Sequence, residues 1–201
     1  MAVITNFGVP ANGAPGTTLM PKLQYRFRVS FTKLGTSTGD SPIVTQNVIS
    51  VSRPSLTHEE IIVDSYNSKM YLAGKHTWET LTLTLRDDMN SKVITQLGNQ
   101  LNRQVDHTDQ ASADAGGSYK FGMMIETLDG GNGATAPVVF DQWDLAGCFL
   151  QGIQYGDLNY GTSDMVQVSC TIRYDHAAHL INGNDVLSAG TRATGNNTTT
   201  P

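Results

Sequence analysis

Two histidines, His176 and His179, stand three positions apart just after Asp175, which could begin a metal site. A zinc centre needs further Cys or His ligands at set spacing, and none follows. The stretch reads instead as a solvated turn after the last strand. His58-Glu59-Glu60 sets an imidazole beside two carboxylates, the groups of acid–base chemistry. In an extended chain His58 and Glu60 share one face and Glu59 takes the other, so the three do not converge locally. Asp129-Gly130-Gly131-Asn132-Gly133 has the glycines of a phosphate-binding loop but neither its lysine nor a following helix. It reads as a hairpin connection. Cys148 and Cys170 lie inside apolar runs, with no neighbour that would lower a thiol pKa, and read as small buried hydrophobes. Two cysteines make no disulfide framework, so a reducing compartment is the default. No catalytic, metal or cofactor site is expected, and the chain is not expected to be an enzyme.

The composition points the same way. With 201 residues the chain has room for one domain and extensions. Only 15% of residues are charged, while Gly contributes 20 residues and Thr, Ser, Asn and Gln fill much of the rest. This is the profile of a β-rich protein with a neutral surface. Its 13 basic and 18 acidic residues give a net charge of −5, which argues against general grip on a phosphate backbone. No apolar run is long enough to span a membrane. Met1-Ala2-Val3-Ile4-Thr5-Asn6-Phe7 has neither a basic flank nor a long apolar core, so no secretory leader is expected.

The elements follow from periodicity. Residues 1–20 are punctuated by Gly8, Pro10, Gly13, Pro15 and Gly16 and read as an arm. Leu23, Tyr25, Phe27, Val29 and Phe31 alternate with polar residues, as a half-buried strand does. A second strand is expected over 44–52, and a long hairpin over 61–73 that breaks near 64–68. Leu81, Leu83 and Leu85 alternate with Thr80, Thr82 and Thr84 in the clearest strand of the chain. One helix is expected from about Ser91 to Val105, with Asn90 as N-cap and Val93, Ile94, Leu97, Leu101 and Val105 as its apolar stripe. Strands resume over 119–127, 138–154 and 164–174. From Gly183 the Gly, Asn, Thr and Ser content predicts a flexible tail, leaving 21–182 as the core domain.

The stretch 59–88 carries a resemblance. A polar hairpin holds Asn67-Ser68-Lys69, then Ala73-Gly74, then Thr77-Trp78, followed by the Leu/Thr strand closing on Asp87-Asp88 before the helix. Pro21-Lys22-Leu23 opens an alternating strand, and Phe140-Asp141-Gln142-Trp143-Asp144-Leu145 and Gly156-Asp157-Leu158 lie downstream. Taken in this order, the elements over 21–176 resemble the tail tube proteins of contractile-tailed bacteriophages. The arm, the loop near 130 and the C-terminal tail depart from that pattern.

The resemblance implies a mainly β fold: a tail-tube-type β-sandwich or barrel with one helix, whose inner strands close a ring-wide β-barrel on oligomerisation. It further implies homohexameric rings stacked into a hollow tube in the virion, assembled in the host cytoplasm. A tail sheath protein would surround the tube, and baseplate and tail terminator proteins would close its ends. The tape measure protein and then DNA would pass through the lumen without sequence-specific binding. Asn67, Lys69, Met70, Tyr71 and Leu72 are the ring–ring interface candidates. Gln46, Ser50 and Glu59, on the polar faces of 44–52 and 57–63, are the lumen candidates. A conduit should not bind its cargo, so a neutral-to-acidic wall is expected. The inner tube of a bacterial contractile injection system that conveys protein effectors is the alternative within this architecture. A monomeric β-sandwich ligand-binding module is the alternative outside it.

Overall fold

A computed structural model describes residues 22–35, 42–111, 117–130, 137–181 and 184–187. The expected arm, most of the loop near 130 and most of the tail lie outside them. Among these residues ten strands and two helices follow in chain order: β1 (Phe27–Thr32), α1 (Pro42–Gln46), β2 (Val48–Val51), β3 (Leu56–Ser65), β4 (Ser68–Trp78), β5 (Leu81–Arg86), α2 (Lys92–Gln104), β6 (Phe121–Leu128), β7 (Val139–Gln154), β8 (Gln167–Arg173), β9 (His176–Ile181) and β10 (Asn184–Asp185).

Eight of the strands form one sheet that folds over on itself, because the long β7 serves both halves. Its first part, up to Cys148, pairs with β6 and β9, and β6 in turn pairs with β1. Its second part, from Phe149, pairs with β8, which pairs with β5 and then β2. Gly147 marks the changeover at φ +69°, and a Cβ there would collide with Asp175 Oδ2. Only a residue without a side chain takes this bend freely.

Alternation supplies the core between the halves. Val29, Phe31, Ile125 and Leu145 face Leu81, Leu83, Leu85, Val168, Cys170 and Ile172, with Val93 and Leu97 of α2 packed into the same cluster. The Leu/Thr rhythm of β5 is borne out residue by residue. The second expected strand is corrected: it begins only at Val48, and Pro42–Gln46 is a short helix whose Val44 is fully buried. Gln46 therefore sits on a helix, not a strand. α2 lies where expected, but Asp88, not Asn90, caps it: Lys92 and Val93 N–H donate to Asp88 Oδ1 at 2.8 and 3.3 Å. The expected turn after the last strand is also corrected, since His176 and His179 lie in β9, paired to β7.

Candidate assembly surfaces

The two remaining strands, β3 and β4, pair among the described residues only with each other and project from the folded sheet as a long hairpin. Their continuity with β2 and β5 explains the direction, since Ser52 N–H donates to Thr82 O and Glu79 N–H to Ser55 O at the junction. Trp78 anchors the base: it packs against Tyr174 at 5.8 Å between ring centres and meets His76 and His176 edge-on. Beyond that base nearly every residue is exposed. A bulge between His58 and Glu60 shifts the register, after which Ile61 opposes Leu72, Ile62 Tyr71, Val63 Met70 and Asp64 Lys69. Ile61, Val63, Met70 and Leu72 thus share one face, and Glu60, Ile62, Asp64, Lys69 and Tyr71 the other. Ile61 and Met70 are 50% and 52% exposed. An isolated two-stranded hairpin is marginal in water, and four apolar side chains on one open face leave it needing cover.

The structure places all five interface candidates on this hairpin. Asn67 is in its turn and Lys69, Met70, Tyr71 and Leu72 lie on β4. Lys69 Nζ lies 3.8 Å from Asp64 Oδ1, an exposed pair. The lumen candidates separate. Ser50 opposes Thr84 on the half-sheet β2-β5-β8-β7, on the face away from the core. Glu59 belongs to the projecting hairpin and Gln46 to α1.

That outer face of the half-sheet is built by alternation. Thr82 and Thr84 of β5 stand opposite Thr171 and Ser169 of β8, which in turn face Gly152 and Gln154 of β7. Among the described residues, its charged members are Arg86, opposite Gln167, and Arg173, opposite Phe149. This face is neutral along its middle and carries cations at its two ends.

Asp141 accepts hydrogen bonds from His179 Nε2 at 2.5 Å and Lys22 Nζ at 3.2 Å, while the His179 ring stacks on Trp143 at 4.1 Å. Burial alone would raise the Asp141 pKa, but these two donors and their charges hold it below the usual carboxylate value. Burial pushes the thiols of Cys148 and Cys170 up to about 12, the opposite of a reactive cysteine. Among the described residues no cluster of His, Cys, Asp or Glu could hold a metal ion.

Sequence reading missed two side chains that fasten α2. Gln100, fully buried, accepts from Gly35 N–H at 3.0 Å and donates to Tyr119 O at 2.6 Å. Gln104, one turn on, bonds the backbone of Leu150. Their spacing from Val93 and Leu97 puts them on the buried face, which was the available signal.

No protein-family model matches the chain, and no curated protein matches its sequence. Solved structures do match. A chain from the anti-feeding prophage baseplate is 20% identical, with 81% of this chain and 97% of that one covered at a TM-score of 0.59. A chain of the sheath–tube complex of the extracellular contractile injection system PVC is 17% identical, covering 80% and 92% at 0.59. A chain of the SPP1 tail tube is 10% identical, covering 82% and 81% at 0.50. In fold, then, this mainly β chain is of the type found in contractile injection systems and in a phage tail tube.

Proposed function

We propose that this chain is a structural, non-catalytic subunit of the tail tube of a contractile phage tail, six to a ring, with stacked rings forming the conduit for genome ejection. The observation that carries the reading is the uncovered β3–β4 hairpin, which in a tube would reach a subunit of the next ring through Asn67, Lys69, Met70, Tyr71 and Leu72. A head-to-tail contact of this kind repeats without limit, which is how a filament grows from one subunit type. Among the described residues no further strand flanks the half-sheet β2-β5-β8-β7 at β2 or at the second part of β7, and closing it round a ring would pair these edges. Its outer face would then line the bore, with Ser50 on the wall and Gln46 and Glu59 away from it. Between Arg86 and Arg173 such a wall offers a duplex hydroxyls and amides but no cation to hold phosphate. Sheath protein outside, baseplate and terminator proteins at the ends, and tape measure protein inside complete the particle, assembled in the host cytoplasm.

The likeness in fold to injection-system chains favours a second reading, an inner tube that passes protein effectors. Capsid and terminase genes beside this one would favour the phage.

Negative-stain microscopy of concentrated protein tests the shared part of both readings: tubes or stacked rings are expected, and dispersed monomers would overturn it. Leu72→Asp should leave the subunit folded but prevent stacking, because the contact would have to bury an unpaired charge.

A further inference from the structure

The folded sheet is closed along β7, where one strand belongs to both halves, and open on the opposite side between β1 and β2. α1 packs against β1 and α2, with Val44 fully buried. The opening is a groove of about 1050 Å³, with Phe27, Val48, Val51 and Ile125 along its floor and Arg28 and Arg53 among its walls. Phe27, Val48 and Val51 pack against the core yet stay only partly buried. Among the described residues β1 pairs with β6 alone and β2 with β5 alone, so each flanks the groove with an edge that no described strand pairs. If β2 serves ring closure, the edge of β1 is still left over.

The groove and the hairpin have complementary chemistry. One face of the hairpin is Ile61, Val63, Met70 and Leu72, the apolar counterpart of the groove floor. Near its base stand Glu59 and Glu60, which form no ion pair among the described residues. Arg53, in the groove wall, likewise has no acidic partner among them. None of the hairpin residues 56–78 lines the groove of its own subunit.

We propose that the groove between β1 and β2 is the seat of the β3–β4 hairpin of a second copy of this chain. The apolar face of the hairpin covers Phe27, Val48, Val51 and Ile125, and its acidic base meets Arg53. One surface thus gains the cover it lacks from the other, and β1 gains a neighbour for its edge. The proposal rests on the tube reading and deepens it by naming what receives the stacking hairpin.

Two single-cysteine variants of the full chain, Ile61→Cys on the hairpin and Val48→Cys in the groove, are mixed in equal amounts, oxidised and run on a non-reducing gel. The native thiols contribute little background, since burial pushes both up to about 12. A dimer from the mixture, above that from either variant alone, is the expected result. Tubes without that dimer would overturn the groove as the seat and leave the tube reading intact. The dimer without tubes would support the groove and overturn the tube reading, and neither dimer nor tubes would overturn both. The charge contact has its own check: Arg53→Glu should shorten tubes roughly tenfold by setting like charges together. Adding Glu59→Lys, on the same face of the hairpin as Ile61, should restore them, and tubes of unchanged length in Arg53→Glu would overturn the contact.

Discussion

Gln104 of α2 stands in for a β-strand beside Leu150 of β7. Its Nε2 donates to Leu150 O at 2.9 Å, and its Oε1 accepts from Leu150 N–H at 3.0 Å. Both bonded groups of Leu150 are thereby satisfied at a point where β7 has β8 on one side and, among the described residues, no strand on the other. Gln104→Ala would leave a buried N–H and a buried carbonyl without partners, at a cost of about 2 kcal/mol or more. Gln104→Glu keeps the acceptor and loses the donor, so its loss should be smaller. Urea unfolding of the three proteins measures the order, and equal stability of wild type and Gln104→Ala would contradict it.

Two glycines should respond in opposite directions to alanine. At Gly147 the left-handed φ of +69° costs a side chain roughly 1–2 kcal/mol, and the new Cβ would collide with Asp175. Asp175 is also held by Lys120 Nζ at 2.5 Å, so relieving the collision disturbs that pair. Gly147→Ala is expected to destabilise by about 2 kcal/mol or more. Gly98 lies inside α2 with open space where its Cβ would stand, and Gly98→Ala should stabilise by about 0.5–1 kcal/mol. Denaturant midpoints report both signs.

The contrast between these residues marks what sequence could and could not convey. The strand of Leu81, Leu83 and Leu85 was legible because its period of two reports burial directly, and so was the hairpin break near Tyr66-Asn67. The apolar stripe likewise placed α2 to within a residue at each end. Pro42–Gln46 was not legible, because Ile43, Val44 and Thr45 are β-branched and five residues are too few to show a helical period. Gln100 and Gln104 look like surface amides until the loop before β6 and the edge of β7 come to meet them. His179 looked solvated because its partners, Asp141 and Trp143, are more than thirty positions away. Of the three lumen candidates, alternation placed Ser50 on a polar sheet face, while the helix and the bulged hairpin took Gln46 and Glu59 elsewhere.

Asp141 should give the fold an acid-sensitive step. Its pKa in the folded state lies below the ordinary carboxylate value despite burial, because His179 and Lys22 both donate to it. A depressed folded pKa means the stabilisation is complete above the unfolded value of about 4 and is lost as pH falls through the folded one. Asp141→Asn removes the charge that both donors meet and should cost about 1–3 kcal/mol at pH 7. The variant should also lose part of the stability difference between pH 5 and pH 2. Thermal unfolding across that range tests the point, and parallel profiles for the two proteins would assign the acid sensitivity to other carboxylates.

The position of Ser50 can be tested by size exclusion in assembled tubes. Ser50 opposes Thr84 on the outer face of the half-sheet, whereas Gln46 sits on α1, off that face, and both are exposed in the single subunit. In dissociated subunits, Ser50→Cys and Gln46→Cys should therefore react equally with a small maleimide and with one carrying a long polymer. In intact tubes with their ends capped, a side chain lining the bore keeps its access to the small reagent but is screened from the polymer. Ser50→Cys is expected to lose polymer labelling by roughly tenfold on assembly, the analogue of a buried thiol whose reactivity is set by access. Polymer labelling of Gln46→Cys, away from the wall, should change far less. Both native cysteines are buried with pKa values of about 12, so the added thiol carries the signal. Full polymer labelling of Ser50→Cys in intact tubes would place this face of β2 and β5 on the outside and require another surface to line the bore.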